Sequence, residues 1–177
     1  EIWGDNADVA IATSFLPVGV NVERAGDNLK VSGRWRFSSG VDHCGWAILL
    51  AMVPADGGNG PPDPVFVLVD LSACKVEDAW NSAGLSATGS NDIVVNDADI
   101  PPHRMMRVLG LRGDATPGSE AHGSYLYRLP LFAVFPFNII GPALGAAHGA
   151  LDAVIADLTS RQTVTGADLS RVATVHQ

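Results

Sequence analysis

Over its first hundred residues the chain alternates short apolar runs with glycine, proline and aspartate. Asp8 to Phe15 is rich in small and β-branched residues and predicts a buried strand, which Pro17 and Gly19 interrupt. Val20, Val22 and Arg24 lead into the turn signal Ala25-Gly26-Asp27-Asn28. Leu29, Val31, Gly33, Trp35 and Phe37 follow with period two, so the two runs predict a β-hairpin that Ser38-Ser39-Gly40 ends. Trp46 to Val53 is an apolar run closed by Pro54, Ala55 to Pro64 reads as a loop, and Val65 to Asp70 as the returning strand. Ile93-Val94-Val95 predicts a short strand ahead of the breaker Pro101-Pro102. Many short strands at close spacing predict a six-to-eight-stranded antiparallel β barrel or sandwich.

The pattern changes after Gly110. Residues Leu111 to Ser124 read as a loop. From about Ile139 to Leu158 the apolar spacing is helical, with Pro142 placed where a first turn tolerates it. Gly141, Ala143, Gly145, Ala146, Ala147, Gly149 and Ala150 allow close packing but weaken an isolated helix. One small β domain and one apolar helix do not complete an architecture, so the chain is expected to be part of something larger or to oligomerise.

Composition narrows the function classes. A net charge of −8 argues against a nucleic-acid surface and suits a soluble protein. No run of eighteen uninterrupted apolar residues is present, so a membrane span is not expected. The opening EIWGDNADVA lacks the basic and apolar segments of a signal peptide, and the missing initiator Met fits a fragment or a processed chain. Cys44 and Cys74 stand in apolar settings without metal spacing and read as reduced, buried small hydrophobes, which points to the cytoplasm. His43, His103, His122, His148 and His176 are scattered, so no metal site is expected.

No glycine-rich phosphate loop leads into a helix, and no G-x-S-x-G elbow occurs. Two stretches carry candidate chemistry. In Trp35-Arg36-Phe37-Ser38-Ser39-Gly40, aromatics meet hydroxyls and a glycine at a strand end. That combination suits either a flat heteroaromatic ring or an ordinary turn with Trp35 as core filler. In Gly84-Leu85-Ser86-Ala87-Thr88-Gly89-Ser90-Asn91-Asp92, small hydroxyls and backbone amides could hold a phosphate or ribityl chain, or simply join two strands.

The string VSGRWRFSSGVDHCGW (Val31 to Trp46) resembles a signature of the two-component flavin-dependent monooxygenases of the acyl-CoA-dehydrogenase-like superfamily. The 4-hydroxyphenylacetate and steroid-ring hydroxylase oxygenase components belong to that group. SFLPVG (Ser14 to Gly19), DAWNSAGLSATGSNDIVVNDADIPPHR (Asp78 to Arg104) and YRLPLFAVFPFNIIGPALGAAHGALD (Tyr127 to Asp152) are similar to the same group in the same order. Together these stretches extend over most of the chain.

The resemblance implies a β-rich middle domain over residues 1–125 and the start of a C-terminal helical domain over 126–177, whose first helix belongs to a four-helix bundle. It implies reduced FMN or FAD delivered by a separate flavin reductase, and O2 consumed through a C4a-hydroperoxyflavin that hydroxylates a small, aromatic substrate. The family is usually homotetrameric. By this resemblance Ser14, Ser38, Ser39 and Gly40 lie beside the flavin pyrimidine and N5 region, and Trp35 and Phe37 shape that wall. Thr88, Gly89 and Ser90 match a second motif near the flavin, in which Ser86 stands where the family usually has Arg. The histidine associated with phenol activation falls in the later helical domain, so no catalytic residue is assigned and His148 does not inherit the role. Two other readings stay open. An acyl-CoA dehydrogenase would share the fold and FAD but carry an LTEP-like segment where Ser14-Phe15-Leu16-Pro17 stands. A non-catalytic β domain would only bind a partner.

Overall fold

The computed structural model describes residues 2–4, 6–55, 59–162, 164–166 and 168. The chain divides into two compact units, Glu1–Thr116 and Pro117–Gln177. The first holds eight strands in two four-stranded sheets. These are β1 (Ile11–Ser14), β2 (Leu16–Ala25), β3 (Asn28–Ser38), β4 (Trp46–Val53), β5 (Asp63–Asp70), β6 (Lys75–Glu77), β7 (Asn91–Ile100) and β8 (Met105–Arg107). One sheet runs β1-β4-β5-β8 and the other β2-β3-β7-β6. The expected all-antiparallel arrangement needs one correction, because β1 and β4 pair in parallel. The chain leaves β1 directly into β2 of the other sheet, so β1 is not one arm of a hairpin with its neighbour.

The core follows from period-two patterning. Ala47, Leu49, Ala51 and Val53 of β4, Leu29, Val31 and Trp35 of β3, and Ile93 and Val95 of β7 are all buried. Trp35 is fully buried, and its indole Nε1 donates to the carbonyl oxygen of Leu50 at 2.7 Å. The donor lies on one sheet and the acceptor on the other, so the two sheets are tied by a satisfied polar bond as well as by apolar contact.

Three bulges shape the second sheet, each with a residue at positive φ. On β2 the register shifts between Val18 and Asn21, with Gly19 at φ 59°. On β3 it shifts between Trp35 and Ser38, with Phe37 at φ 61°. On β7 the extra residue lies opposite Val31 to Gly33, with Asp97 at φ 51° and its N–H donating to Ser32 Oγ at 2.9 Å. These bulges explain two differences from expectation. Pro17 and Gly19 do not interrupt the strand, because β2 is an edge strand, where a missing N–H is tolerated, and the bulge absorbs the glycine. The strand around Ile93-Val94-Val95 continues to Ile100, carried past Asn96-Asp97 by its bulge.

In the second unit, α1 (Pro117–Ala121) lies inside the stretch expected to be a loop. The long helix α2 spans Leu131–Ser160, starting well before Ile139 and containing both Pro136 and Pro142. Pro142, expected near a first turn, is instead the twelfth helical residue and Pro136 the sixth, so each lacks an N–H that an interior turn would have bonded. None of its residues is buried. Although no run of eighteen uninterrupted apolar residues is present, an eighteen-residue window of α2 has a mean hydropathy of 1.5, which by length and composition alone is enough to cross a membrane.

Two outcomes follow from the β unit. A Cβ on Gly33 would stand 2.6 Å from Val20 Cγ2 and 2.7 Å from its Cα, at φ 152°. Gly33→Ala should therefore lower unfolding stability by roughly 2–3 kcal/mol, read from the urea midpoint. Cys44 and Cys74 are free thiols, and both are only part-buried. Partial burial, with Asp70 nearby, pushes the Cys74 thiol up to about 11. The unfolded chain ionises this thiol first, so it binds fewer protons than the folded state above the ordinary thiol range. Stability should fall as pH rises from there toward about 11, and Cys74→Ala should flatten that limb of a urea-midpoint profile.

Candidate functional site

The two stretches singled out in the sequence become one site because β3 and β7 are hydrogen-bonded neighbours. Ser38, the last residue of β3, pairs with Asn91, the first of β7. The turn leaving one strand and the turn entering the other therefore meet at the same end of the sheet. Gly40, at φ 72°, donates its N–H to the carbonyl of Thr88 at 2.8 Å. Ser39 Oγ lies 2.8 Å from Ser90 Oγ, and Ser90 Oγ lies 2.7 Å from Thr88 Oγ1.

This hydroxyl chain has a direction. Thr88 Oγ1 donates to the carbonyl of Leu85 at 2.8 Å, and a carbonyl can only accept. Thr88 must then accept from Ser90, and Ser90 from Ser39. Ser90 is 5% exposed and lies inside the wall, whereas Ser39 is exposed. With its proton committed inward, Ser39 presents lone pairs to anything that docks on the turn.

The bulge on β3 re-aims Phe37. Its ring is 43% exposed and meets Trp80 edge-on, with centroids 5.9 Å apart at 76°. The Arg36 guanidinium lies 4.5 Å from the Phe37 ring centroid. The Phe37 N–H points to Asp92 Oδ1 at 3.4 Å, and Trp80 Nε1 donates to the carbonyl of Leu85 at 3.0 Å. An apolar face thus stands beside a row of small hydroxyls.

Behind this face, Ser14 and Ser38 are buried and satisfied. Ser14 Oγ donates to the Arg36 carbonyl at 2.5 Å, and Ser38 Oγ to the Thr13 carbonyl at 3.4 Å. Each ties β1 to the end of β3. Both fix the turn and neither offers a free hydroxyl outward. Trp35, expected to shape the wall directly, has no exposed atom face, so it braces the wall from within the core. Gly89, at φ 49°, has Asp42 Oδ2 3.3 Å from where a Cβ would stand, which leaves little room for a side chain.

Sequence reasoning missed the polar frame under these turns. Asn91 and Asp92 are 7% and 4% exposed. Arg34 Nε stands 2.9 Å from Asp92 Oδ2, out of line for a hydrogen bond, and the same guanidinium bonds Glu77 through Nη2. The Glu77 carboxyl is held below its usual range, first by its bond from Lys75 and also by Arg34. The available signal was a polar Asn-Asp pair opening an otherwise apolar strand.

Two grooves on the β unit contain none of the nine predicted residues. One of about 590 Å³ lies at the opposite end of the sheets, among Leu29, Val53, Asp63, Met105 and Arg107. The other, about 640 Å³, is lined by Val41, Asp42, Cys44, Trp46 and Asp70. The turn patch itself is an open surface, suited to be one wall of an enclosure.

No family model matches the chain. Individual proteins do. It is 37% identical over 153 residues to the oxygenase subunit HsaA of a flavin-dependent monooxygenase of Rhodococcus jostii, covering 86% of this chain and 39% of that protein. It is 32% identical over 164 residues to the oxygenase component of an FADH2-dependent resorcinol hydroxylase of Rhizobium sp., covering 92% and 40%. Among solved structures, the 3-HSA hydroxylase from Rhodococcus sp. RHA1 superposes with a TM-score of 0.79 at 36% identity, over 86% of this chain and 38% of that one. XiaF from Streptomyces sp., in complex with FADH2 and glycerol, gives a TM-score of 0.79 at 26% identity, over 98% and 43%. The chain spans about two fifths of the length of the relatives it matches. Over that span it is, by sequence and by fold, a relative of the oxygenase components of two-component flavin-dependent monooxygenases.

Proposed function

We propose that this chain supplies one wall of the flavin site in the oxygenase component of a two-component monooxygenase, which uses reduced FMN or FAD and O2 to hydroxylate a small aromatic substrate. The observation that carries the reading is the interlocking of the Phe37–Gly40 and Thr88–Ser90 turns, which sets an apolar ring face beside hydroxyls of fixed polarity. That donor set suits a flat heteroaromatic ring with a polar edge. Reduced flavin, when bound, supplies the electrons with which O2 is activated for insertion of one oxygen atom into the substrate. Phe37 would pack against the ring, Ser39 would accept from a ring N–H, and Gly40, Thr88, Gly89 and Ser90 would hold that edge in register. Trp35, Ser14 and Ser38 would keep the wall rigid and dry from behind.

In this reading residues 1–125 are the middle domain of an acyl-CoA-dehydrogenase-like fold, and residues 126–177 begin its C-terminal four-helix-bundle domain. The apolar surface of α2 is then a protein-packing surface in a homotetrameric, cytoplasmic enzyme, and not a membrane span. Supporting this, an alignment covering 98% of the chain onto XiaF takes in nearly all of α2. An aromatic substrate fits the names of several relatives, among them resorcinol hydroxylase and indole-3-acetate monooxygenase. The reduced flavin would come from a separate reductase.

The complete gene product should bind reduced FMN or reduced FAD in anaerobic titration and consume O2 when a flavin reductase and a phenolic substrate are added. Tight binding of oxidised FAD, with reduction by an acyl-CoA, would instead make it a dehydrogenase, and absence of any flavin binding would leave an interaction domain. Ser90→Ala cuts the hydroxyl chain and frees the Ser39 proton to turn outward. It should weaken reduced-flavin binding about tenfold, while the midpoint of thermal unfolding shifts by only a few degrees.

A further inference from the structure

The side chain of Asn91 bonds the segments on both sides of the turn site at once. Its Oδ1 accepts from the backbone N–H groups of Ala79 and Trp80, both at 3.2 Å. Its Nδ2 donates to Asp42 Oδ2 at 3.0 Å. Its own backbone N–H bonds the Gly89 carbonyl at 2.7 Å. Two donors at one end and a carboxylate at the other leave only one way for the amide to point. Being 7% exposed, it has little access to water that could replace these bonds.

Each tether leads to a part of the site. Trp80, held by its backbone, sets its indole against Phe37 and donates to the Leu85 carbonyl, the same oxygen that ends the hydroxyl chain through Thr88. Asp42 follows the Gly40 turn, and the Gly40 N–H bonds Thr88. We infer that Asn91 is a positioning residue: its amide locks the Trp80 segment and the Gly40–Asp42 turn to the start of β7, and so sets the distance between the aromatic face and the hydroxyl row. This rests on the flavin reading for its functional consequence, but the clamp can be measured without flavin.

Asn91→Asp is the informative variant. The introduced carboxylate keeps the acceptor for Ala79 and Trp80 but turns the donor toward Asp42 into a second negative charge. The other charged groups adjoining these partners are His43, next to Asp42 in the chain, Asp78 and Glu77, just before Ala79, Asp92 on β7 itself, and Arg34 on β3. Of these, Arg34 is engaged by Asp92 and Glu77. Two facing carboxylates cannot both stay ionised cheaply, so at low pH they share a proton and the bond to Asp42 is restored.

The complete gene product, wild type, Asn91→Asp and Asn91→Ala, would be titrated anaerobically with reduced flavin at about pH 8 and about pH 5.5. Near-UV circular dichroism of the flavin-free proteins would be recorded at the same pH values, with Trp80→Phe assigning the Trp80 contribution. Relative to wild type at each pH, Asn91→Asp should bind reduced flavin about tenfold more weakly at the higher pH and within about twofold at the lower. Its Trp80 dichroism should be lost and regained in step. Asn91→Ala should stay weak at both pH values. If that variant does not fold, the acid rescue of Asn91→Asp decides alone. A pH-independent ratio for Asn91→Asp, or wild-type dichroism in it at the higher pH, overturns the clamp. If wild type takes up no reduced flavin, the proposed function falls, and the dichroism arm still decides whether Asn91 positions the turns.

Discussion

The contact on which the β unit depends is the buried indole of Trp35. Burying a side chain of this size contributes roughly 5 kcal/mol of transfer free energy as an upper figure. Its single polar atom is satisfied by the Leu50 carbonyl, so that gain carries no orphaned-donor penalty. Because donor and acceptor belong to different sheets, the bond also fixes their relative height. The bulge at Phe37 begins two residues later, and everything at that end of β3 inherits its position from this anchor.

The site is then a consequence of topology and of a small number of buried polar groups. β3 and β7 are neighbours, so turns about fifty residues apart in the chain are held at bonding distance. Asp92, Asn91, Ser14 and Ser38 sit below the surface: Asp92 and Asn91 bond backbone N–H groups of the segments above them, and the two serines tie β1 to the end of β3. Such a frame is costly if any member is missing and rigid when all are present. The exposed face of the site can therefore be chemically simple: a phenyl ring, an indole and a few hydroxyls.

Much of this was legible in the sequence. Strict alternation at Leu29, Val31 and Trp35 and the Ala25-Gly26-Asp27-Asn28 turn identified the hairpin, because both signals are local. The parallel partner of β1 was not legible, since sheet neighbours are chosen by long-range packing. The helix start failed for a related reason: Pro136 weighs against helix locally, yet the helix runs through it with one interior backbone bond missing. For the site, residue types and family resemblance pointed to two turns that the fold brings side by side. They could not separate Trp35, which is core, from Phe37, which is surface, because both sit on the same period-two face until the bulge breaks the period. Nor could they find Asn91, whose importance lies in the direction of its amide.

Among the described residues, three non-glycine residues hold a left-handed backbone, and two of them, Phe37 and Leu85, belong to this site. A side chain in that conformation stands about 1–2 kcal/mol above one that glycine adopts freely. Glycine at position 37 would relax the backbone and erase the aromatic face in the same step. Selection for thermal tolerance alone would thus be expected to drift toward glycine there, giving sturdier descendants without the aromatic face. Any campaign to harden this protein must therefore screen at every round for the flavin capture proposed for that face.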